Sequence, residues 1–259
     1  MSEPVYLNIE DKVATLMLNR PDHGNAIDLQ TAKQLFEKTL KVHQDKRVKV
    51  VVLKAEGKNF SFGGDLRSFQ EHGDHVGAHL RELTSYLHQA IILLAKMDKP
   101  IVGKINGVAA GAGLSLICLC DVVIAGESAK FTPSYTKVGL SPDGSCTYIL
   151  PRLVGLRKAQ DFLLLNPIWD AEKALNEGLI TRKVSNASLD DEVETIVTSF
   201  LTGSKSANAK TKKLLQMSFL RELEEHLTLE SDMISEQSGL RDGKEGVASF
   251  VEKRPPVFD

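Results

Sequence analysis

Ile101-Val102-Gly103-Lys104-Ile105, then Asn106-Gly107-Val108-Ala109-Ala110-Gly111-Ala112-Gly113, then Val122-Val123-Ile124-Ala125 is the stretch that decides how this chain is organised. The outer pieces are short, mostly β-branched apolar runs of the kind that form buried strands. The glycine-bearing middle piece turns out of the first strand, and a short helix opens near Gly111 and ends before Asp121. Strand, turn, helix, strand is the repeating unit of an α/β architecture with parallel pairing.

The same unit recurs outward from there. Val48 to Leu53 reads as a buried strand and leads into a second glycine segment, Phe60-Ser61-Phe62-Gly63-Gly64-Asp65-Leu66. Val13 to Leu18 is an earlier strand that ends at Asn19-Arg20-Pro21. Asp28 then caps a helix to about His43, with Leu29, Ala32, Leu35, Phe36 and Leu40 on one face. A long helix from about Val76 to Met97 carries Leu80, Leu83, Leu87, Ile91 and Leu94. Downstream, Leu156 to Leu165 and Asp170 to Glu177 are helical, with Gly178 as a stop, and Ile180 to Val184 is a short strand. After about Leu189 the strands cease, and helices are expected near 189–202, 205–221, 222–239 and 243–253. The chain thus divides into an α/β core, 1–188, and a helical region, 189–259. A helical tail of this kind packs either on a neighbouring subunit or back on its own core. Oligomerisation is the expectation.

Composition narrows the function classes. The chain has 259 residues, 42% apolar and 25% charged, with a net charge of −2, values ordinary for a soluble globular protein. No basic stripe marks a nucleic-acid or membrane footprint. Met1-Ser2-Glu3-Pro4 does not read as a secretory leader, and Pro256-Val257-Phe258-Asp259 is not a peroxisomal address. The longest apolar window, Val108 to Ala125, contains Asp121, Ser115 and two glycines, which fits a buried core better than a membrane span. Three cysteines, Cys118, Cys120 and Cys146, have no metal-ligand spacing and fit a reduced, cytoplasmic compartment. No metal and no redox cofactor are implied.

Glycine segments between strand and helix can leave backbone N–H groups unpaired and aimed at a ligand. A phosphate loop would need Gly-Lys-Ser/Thr, which is absent. A dinucleotide loop would need a third glycine where Leu116 stands. Two such segments followed by Ser141-Pro142-Asp143-Gly144 suit instead a site that polarises a carbonyl and sets a carboxylate beside it, the requirement of enolate chemistry. Close strand–helix packing is the structural alternative for either glycine segment taken alone.

Leu18-Asn19-Arg20-Pro21 with Asn25-Ala26-Ile27, Phe60 to Leu66, Asn106 to Leu116, Cys120 to Ala125, Leu150-Pro151-Arg152 and Lys253-Arg254-Pro255 together resemble the crotonase superfamily, the enoyl-CoA hydratase/isomerase group. The resemblance spans residues 5–258. It implies a spiral of ββα turns followed by a helical trimerisation region, a homotrimer or dimer of trimers, and acyl-CoA thioesters as substrates, the CoA being part of the substrate rather than a cofactor. By position, the two N–H groups that bind the thioester oxygen belong to Gly64 and Ala112. Ala112 stands where glycine is common, which matters little for a backbone donor. Substrate contacts map onto Asn25, Ala26, Ile27, Phe62, Gly63, Asp65, Leu66, Arg67, Gly111, Ser115, Tyr135, Leu140 and Lys253. Among these, Asp65 is expected to fix its loop, Arg67 to reach a CoA phosphate or stay solvated, and Lys253 to touch CoA from a neighbouring subunit. Pocket walls are expected from residues 68–90 and 131–148.

The carboxylates set the reaction within the resemblance. Ser115 and Tyr135 occupy the places of the two glutamates that hydratases use, which disfavours ordinary hydration. Asp143 stands where several isomerases carry one acid/base, implying a Δ3–Δ2 double-bond shift. Read locally, Pro-Asp-Gly is a turn and Asp143 a helix cap. Family dehalogenases use an aspartate here as a nucleophile together with a histidine on the long helix, where this chain has His88. A silent acyl-CoA-binding subunit is the non-catalytic alternative.

Overall fold

The computed structural model describes residues 3–258. In chain order its elements are β1 Val5–Glu10, β2 Val13–Leu18, α1 Leu29–Gln44, β3 Val50–Ala55, α2 Leu66–Glu71, α3 Val76–Lys96, β4 Ile101–Ile105, β5 Val108–Ala110, α4 Ala112–Ile117, β6 Val122–Gly126, β7 Lys130–Thr132, α5 Cys146–Val154, α6 Leu156–Leu165, β8 Trp169–Asp170, α7 Ala171–Asn176, β9 Arg182–Val184, α8 Leu189–Thr202, α9 Lys205–Met217, α10 Leu223–Gly239 and α11 Arg241–Val251. Six strands form one sheet in the order β1-β2-β3-β4-β6-β9, and β5-β7-β8 form a second, smaller one. From β2 to β9 every neighbouring pair in the large sheet is parallel, with Leu16 opposite Leu53, Val51 opposite Ile101 and Val102 opposite Val122. This is the expected spiral: each turn adds one strand to each sheet or a helix outside them.

The apolar runs are continuous because both faces of the large sheet are covered. Val51 and Leu53 point into the main core, with Leu16, Ile101, Ile105, Leu83 and Leu87. Val50 and Val52 point the other way, with Val102 and Ile124, onto Leu189, Val193, Ile196 and Val197 of α8. The first helix beyond residue 188 is therefore a layer of the core in its packing. α1 and α3 lie against each other, and Asp28 caps α1 by accepting from the Thr31 N–H at 2.8 Å.

Several elements were not foreseen. β1 pairs antiparallel with β2 through Asp11 and Lys12, both at positive φ, a hairpin turn without the usual glycine. β5, β7 and β8 are too short to show a period. α5 contains Pro151, a residue that removes a helical N–H donor. α9 stops at Met217 rather than 221, where the Ser218 hydroxyl bonds back to the Leu215 carbonyl at 2.6 Å and competes with helix continuation. α4 closes at Ile117, so Cys118 and Cys120 lie past its last turn.

The tail is docked by charge as well as by apolar packing. Lys212 of α9 is buried and donates to Asp121 at 2.6 Å and to the Lys99 carbonyl at 3.0 Å, while Asp121 also accepts from the Ile101 N–H at 2.7 Å. Phe219, Leu220, Leu223 and Leu227 remain more than half exposed. Among the described residues no helix is long and apolar enough to cross a membrane.

Candidate active site

The two glycine segments meet edge to edge. Ser61 pairs with Ala109, and Gly64 pairs with Ile27, as isolated parallel bridges. Ser61 is fully buried, and its hydroxyl donates to the Asn25 carbonyl at 2.8 Å and accepts from the Gly63 N–H at 3.1 Å. At Gly63, φ is +92° and a built Cβ would stand 2.9 Å from the Ala110 oxygen and 3.1 Å from the Ala112 nitrogen. Only glycine permits that approach. Gly111, at φ +50° and ψ −126°, turns the chain from β5 into α4.

This arrangement consumes several neighbouring donors and spares those of Gly64 and Ala112. Gly63 N–H goes to Ser61, Asp65 N–H to the Ile27 carbonyl, and Gly111 N–H to the Thr132 and Pro133 carbonyls. Among the described residues the N–H groups of Gly64 and Ala112 have no hydrogen-bond partner. That of Ala112 is an orphan donor of the first turn of α4.

Both donors open on a cavity of about 310 Å³. Its walls are Leu66 and Phe69 of α2, Leu80, Leu83, Thr84 and Leu87 of α3, the residues Ile27, Phe62 and Gly111, and the stretch from Pro133 to Asp143. The walls from Phe69 to Leu87 and from Pro133 to Asp143 fall in the two stretches foreseen, while Leu66, Ile27, Phe62 and Gly111 lie outside them. The lining is mostly apolar, as an acyl chain requires, and Asp143 is the one carboxylate on it among the described residues. One oxygen of Asp143 lies 2.7 Å from Nε2 of His88 on α3. The Tyr135 ring faces the cavity while its hydroxyl meets Ser115 Oγ at 3.0 Å and donates to the Asp143 carbonyl at 3.2 Å. Burial holds the Tyr135 phenol well above its ordinary range, outweighing the opposing hydrogen bond from Ser115.

Of the residues singled out from the sequence, Ile27, Phe62, Gly64, Leu66, Gly111, Ala112, Tyr135, Leu140 and Asp143 line the cavity. The others stand behind or away from it. Asn25 is buried at positive φ, and its amide donates to the Glu56 and Asn59 carbonyls, both at 2.9 Å. Ala26 offers its carbonyl to Arg20 at 2.6 Å. Gly63 sits beneath the donors, and Ser115 is fully buried behind the wall. Asp65 caps α2 through the Ser68 N–H and pairs with Arg20 at 3.1 Å, which fixes the loop. Arg67 is exposed on α2, and Lys253 is exposed beyond α11 at positive φ.

One contributor was not singled out. Arg20 bridges Asp28 and Asp65, each at 3.1 Å, tying the start of α1 to the first donor loop. The contact between His88 and Asp143 joins residues 55 apart in sequence, the two that the resemblance to family dehalogenases sets together. Among the described residues no cluster of side chains is suited to hold a metal ion.

The chain is similar to known proteins over nearly its whole length. The sequence model of the family described as Enoyl-CoA hydratase/isomerase matches residues 8–259. The 1,2-epoxyphenylacetyl-CoA isomerase of Escherichia coli is 32% identical over 100% of this chain and 99% of its own. A probable enoyl-CoA hydratase of Rhodobacter capsulatus is 34% identical over 98% and 97%. The crystal structure of a putative enoyl-CoA hydratase/isomerase from Mycobacterium abscessus superposes with a TM-score of 0.93 at 31% identity, covering 98% of this chain and 99% of that one.

Proposed function

Because the chain belongs to the enoyl-CoA hydratase/isomerase family of crotonase fold, and therefore acts on acyl-CoA thioesters, we propose that it shifts the double bond of a 3-enoyl-CoA to the 2-position, with Asp143 as its single acid/base. The observation that carries the reading is a cavity with two unpaired N–H donors and one carboxylate on its wall.

The thioester oxygen accepts from the N–H groups of Gly64 and Ala112. The Asp143 carboxylate removes a proton from C2, and the electron pair moves onto that oxygen to give a dienolate. The same carboxyl, now protonated, returns the proton to C4, and the double bond settles between C2 and C3. Asp143 is regenerated and no electrons are exchanged, so the step needs neither metal nor redox cofactor. Fixed donors stabilise the oxyanion without reorganising, and one such donor is worth on the order of 3 kcal/mol. His88 holds one oxygen of Asp143, which leaves the other for substrate. Hydration needs a second group to deliver water, and the hydroxyls of Ser115 and Tyr135 are committed to each other and to the Asp143 carbonyl. The exposed apolar side chains of α10 and the segment before it support assembly as a trimer or dimer of trimers, and the proposal includes a contact of Lys253 with a neighbour's CoA.

The assay supplies a 3-enoyl-CoA and, separately, a trans-2-enoyl-CoA and follows absorbance of the conjugated thioester. A rise with the first and no loss with the second is expected. Loss with the second, with 3-hydroxyacyl-CoA formed, would overturn the isomerase reading in favour of hydration. Asp143→Asn is expected to lower kcat about 1000-fold; full activity in that variant would remove Asp143 from the role.

The contact of His88 with Asp143 favours one second reading, in which Asp143 is the nucleophile and His88 activates water. Halide release from a haloaryl-CoA thioester would support it.

A further inference from the structure

Three donors converge on the backbone carbonyl of Asp143. Ser115 Oγ donates to it at 2.8 Å, the Tyr135 hydroxyl at 3.2 Å and the Cys146 N–H at 3.3 Å. The two hydroxyls also lie 3.0 Å apart. Each hydroxyl carries one proton, so the consistent arrangement has Ser115 donating to the carbonyl and Tyr135 donating to Ser115 or to the same carbonyl.

The loop that presents Asp143 has little to hold itself. Gly139, Gly144 and Ser145 are all left-handed, and the helix that follows, α5, has no side-chain cap. The clamp comes from elsewhere. Ser115 is on α4, one turn after Ala112, whose N–H is the second oxyanion donor, and Tyr135 leads out of the segment after β7. The contact has no slack: a Cβ built on Gly144 would stand 2.9 Å from the Ser115 Cβ. Acid/base geometry must hold to a few tenths of an ångström, and a misplacement of about 1 Å costs about 100-fold in rate.

We propose that Ser115 and Tyr135 form a positioning pair that fastens the Asp143 peptide to α4, so that the base and the Ala112 donor keep one fixed separation. The proposal rests on the acid/base reading of Asp143 given above. Neither hydroxyl touches a reacting atom. They set the plane of the 143–144 peptide and thereby the direction in which the carboxylate leaves the backbone.

Ser115→Ala and Tyr135→Phe each remove a hydroxyl without adding bulk. Two readouts are needed: kcat and KM with a 3-enoyl-CoA, and amide hydrogen exchange of residues 139–150. Each variant is expected to lose about 10- to 100-fold in kcat with KM changed by less than about threefold. The double variant should fall short of the product of the two, because the hydroxyls share an acceptor. Exchange in 139–150 should quicken in both, and Asp143→Asn should leave it as in the wild type. Unchanged exchange in both variants overturns the clamp. So does quicker exchange with kcat held within about twofold. If the wild type turns over no 3-enoyl thioester, the acid/base reading falls and exchange alone decides: quicker exchange upholds the fastening, and unchanged exchange overturns it.

Discussion

Gly63→Ala is the substitution that asks most of the oxyanion geometry, because Gly63 is not itself a donor. Two costs can be worked from the structure. At φ +92° an L-residue is strained by about 1–2 kcal/mol. The added methyl would stand 2.9 Å from the Ala110 oxygen and 3.1 Å from both the Ala112 nitrogen and the Gly111 Cα. All three are backbone atoms, so relief requires the two segments to part by a few tenths of an ångström, which carries Ala112 N–H away from Gly64 N–H. A misaligned donor forfeits on the order of 3 kcal/mol of transition-state stabilisation, so kcat should drop about 100-fold. The strain should lower Tm by about 2–8 °C. Gly178→Ala is the control. It has φ +80°, its nearest built contact is an ordinary 3.4 Å to the Leu153 oxygen, and it lies outside the cavity. It should cost similar stability and leave kcat within about twofold. Both are read by thermal unfolding and by the conjugated-thioester absorbance assay. If Gly63→Ala were destabilised like the control and equally active, the close approach of the two segments would not set the donors, and the reasoning would be wrong.

His88→Gln keeps a donor near the Asp143 carboxylate but removes a group that can be charged. It should lower kcat about 10-fold with little effect on KM; a kcat within about twofold of the wild type would show that His88 is a bystander. Tyr135, held above its ordinary value by burial, should keep its proton in the fold when the unfolded chain, titrating near 10, has lost it. The unfolded state then binds fewer protons, so stability should decline as pH rises past about 10. In an alkaline titration one of the four tyrosines should form phenolate only with unfolding. Reversible ionisation of all four in the intact fold would refute this. Lys212→Met leaves Asp121 with its Ile101 bond but no cation and should cost about 2 kcal/mol in urea denaturation; a loss under about 0.5 kcal/mol would mean that α9 is docked by packing alone.

What the sequence disclosed followed from how strictly one residue type was required. Val50 to Leu53 had to be a buried strand because a continuous apolar run is stable only with both faces covered, although α8 as the second cover could not be read. Gly63 and Gly111 had to be glycine, so their segments stood out, and their meeting across β5 is the consequence of that freedom. β1 was readable in principle, since Val5, Leu7 and Ile9 alternate with Tyr6, Asn8 and Glu10, but its turn at Asp11 and Lys12 lacked a glycine to mark it. Asn25, expected as a substrate contact, has its amide buried and bonded to the Glu56 and Asn59 carbonyls, because an asparagine at positive φ serves a turn as well as a site.

The contact of His88 with Asp143, which the sequence offered only through the resemblance to dehalogenases, can also be read from the helix itself. Leu83, Leu87, Ile91 and Leu94 fix which side of α3 faces the core. Residues 80, 84 and 88 are spaced four apart and form the neighbouring row on the helix surface. Leu80 and Thr84 of that row line the cavity. Once the core stripe sets the rotation of α3, His88 is the next member of the cavity row, at the end that Asp143 reaches. A polar residue continuing a pocket-lining row of a helix is therefore a stronger signal than its identity alone, and it separates His88 from His79, which falls in the core-facing set of the same helix.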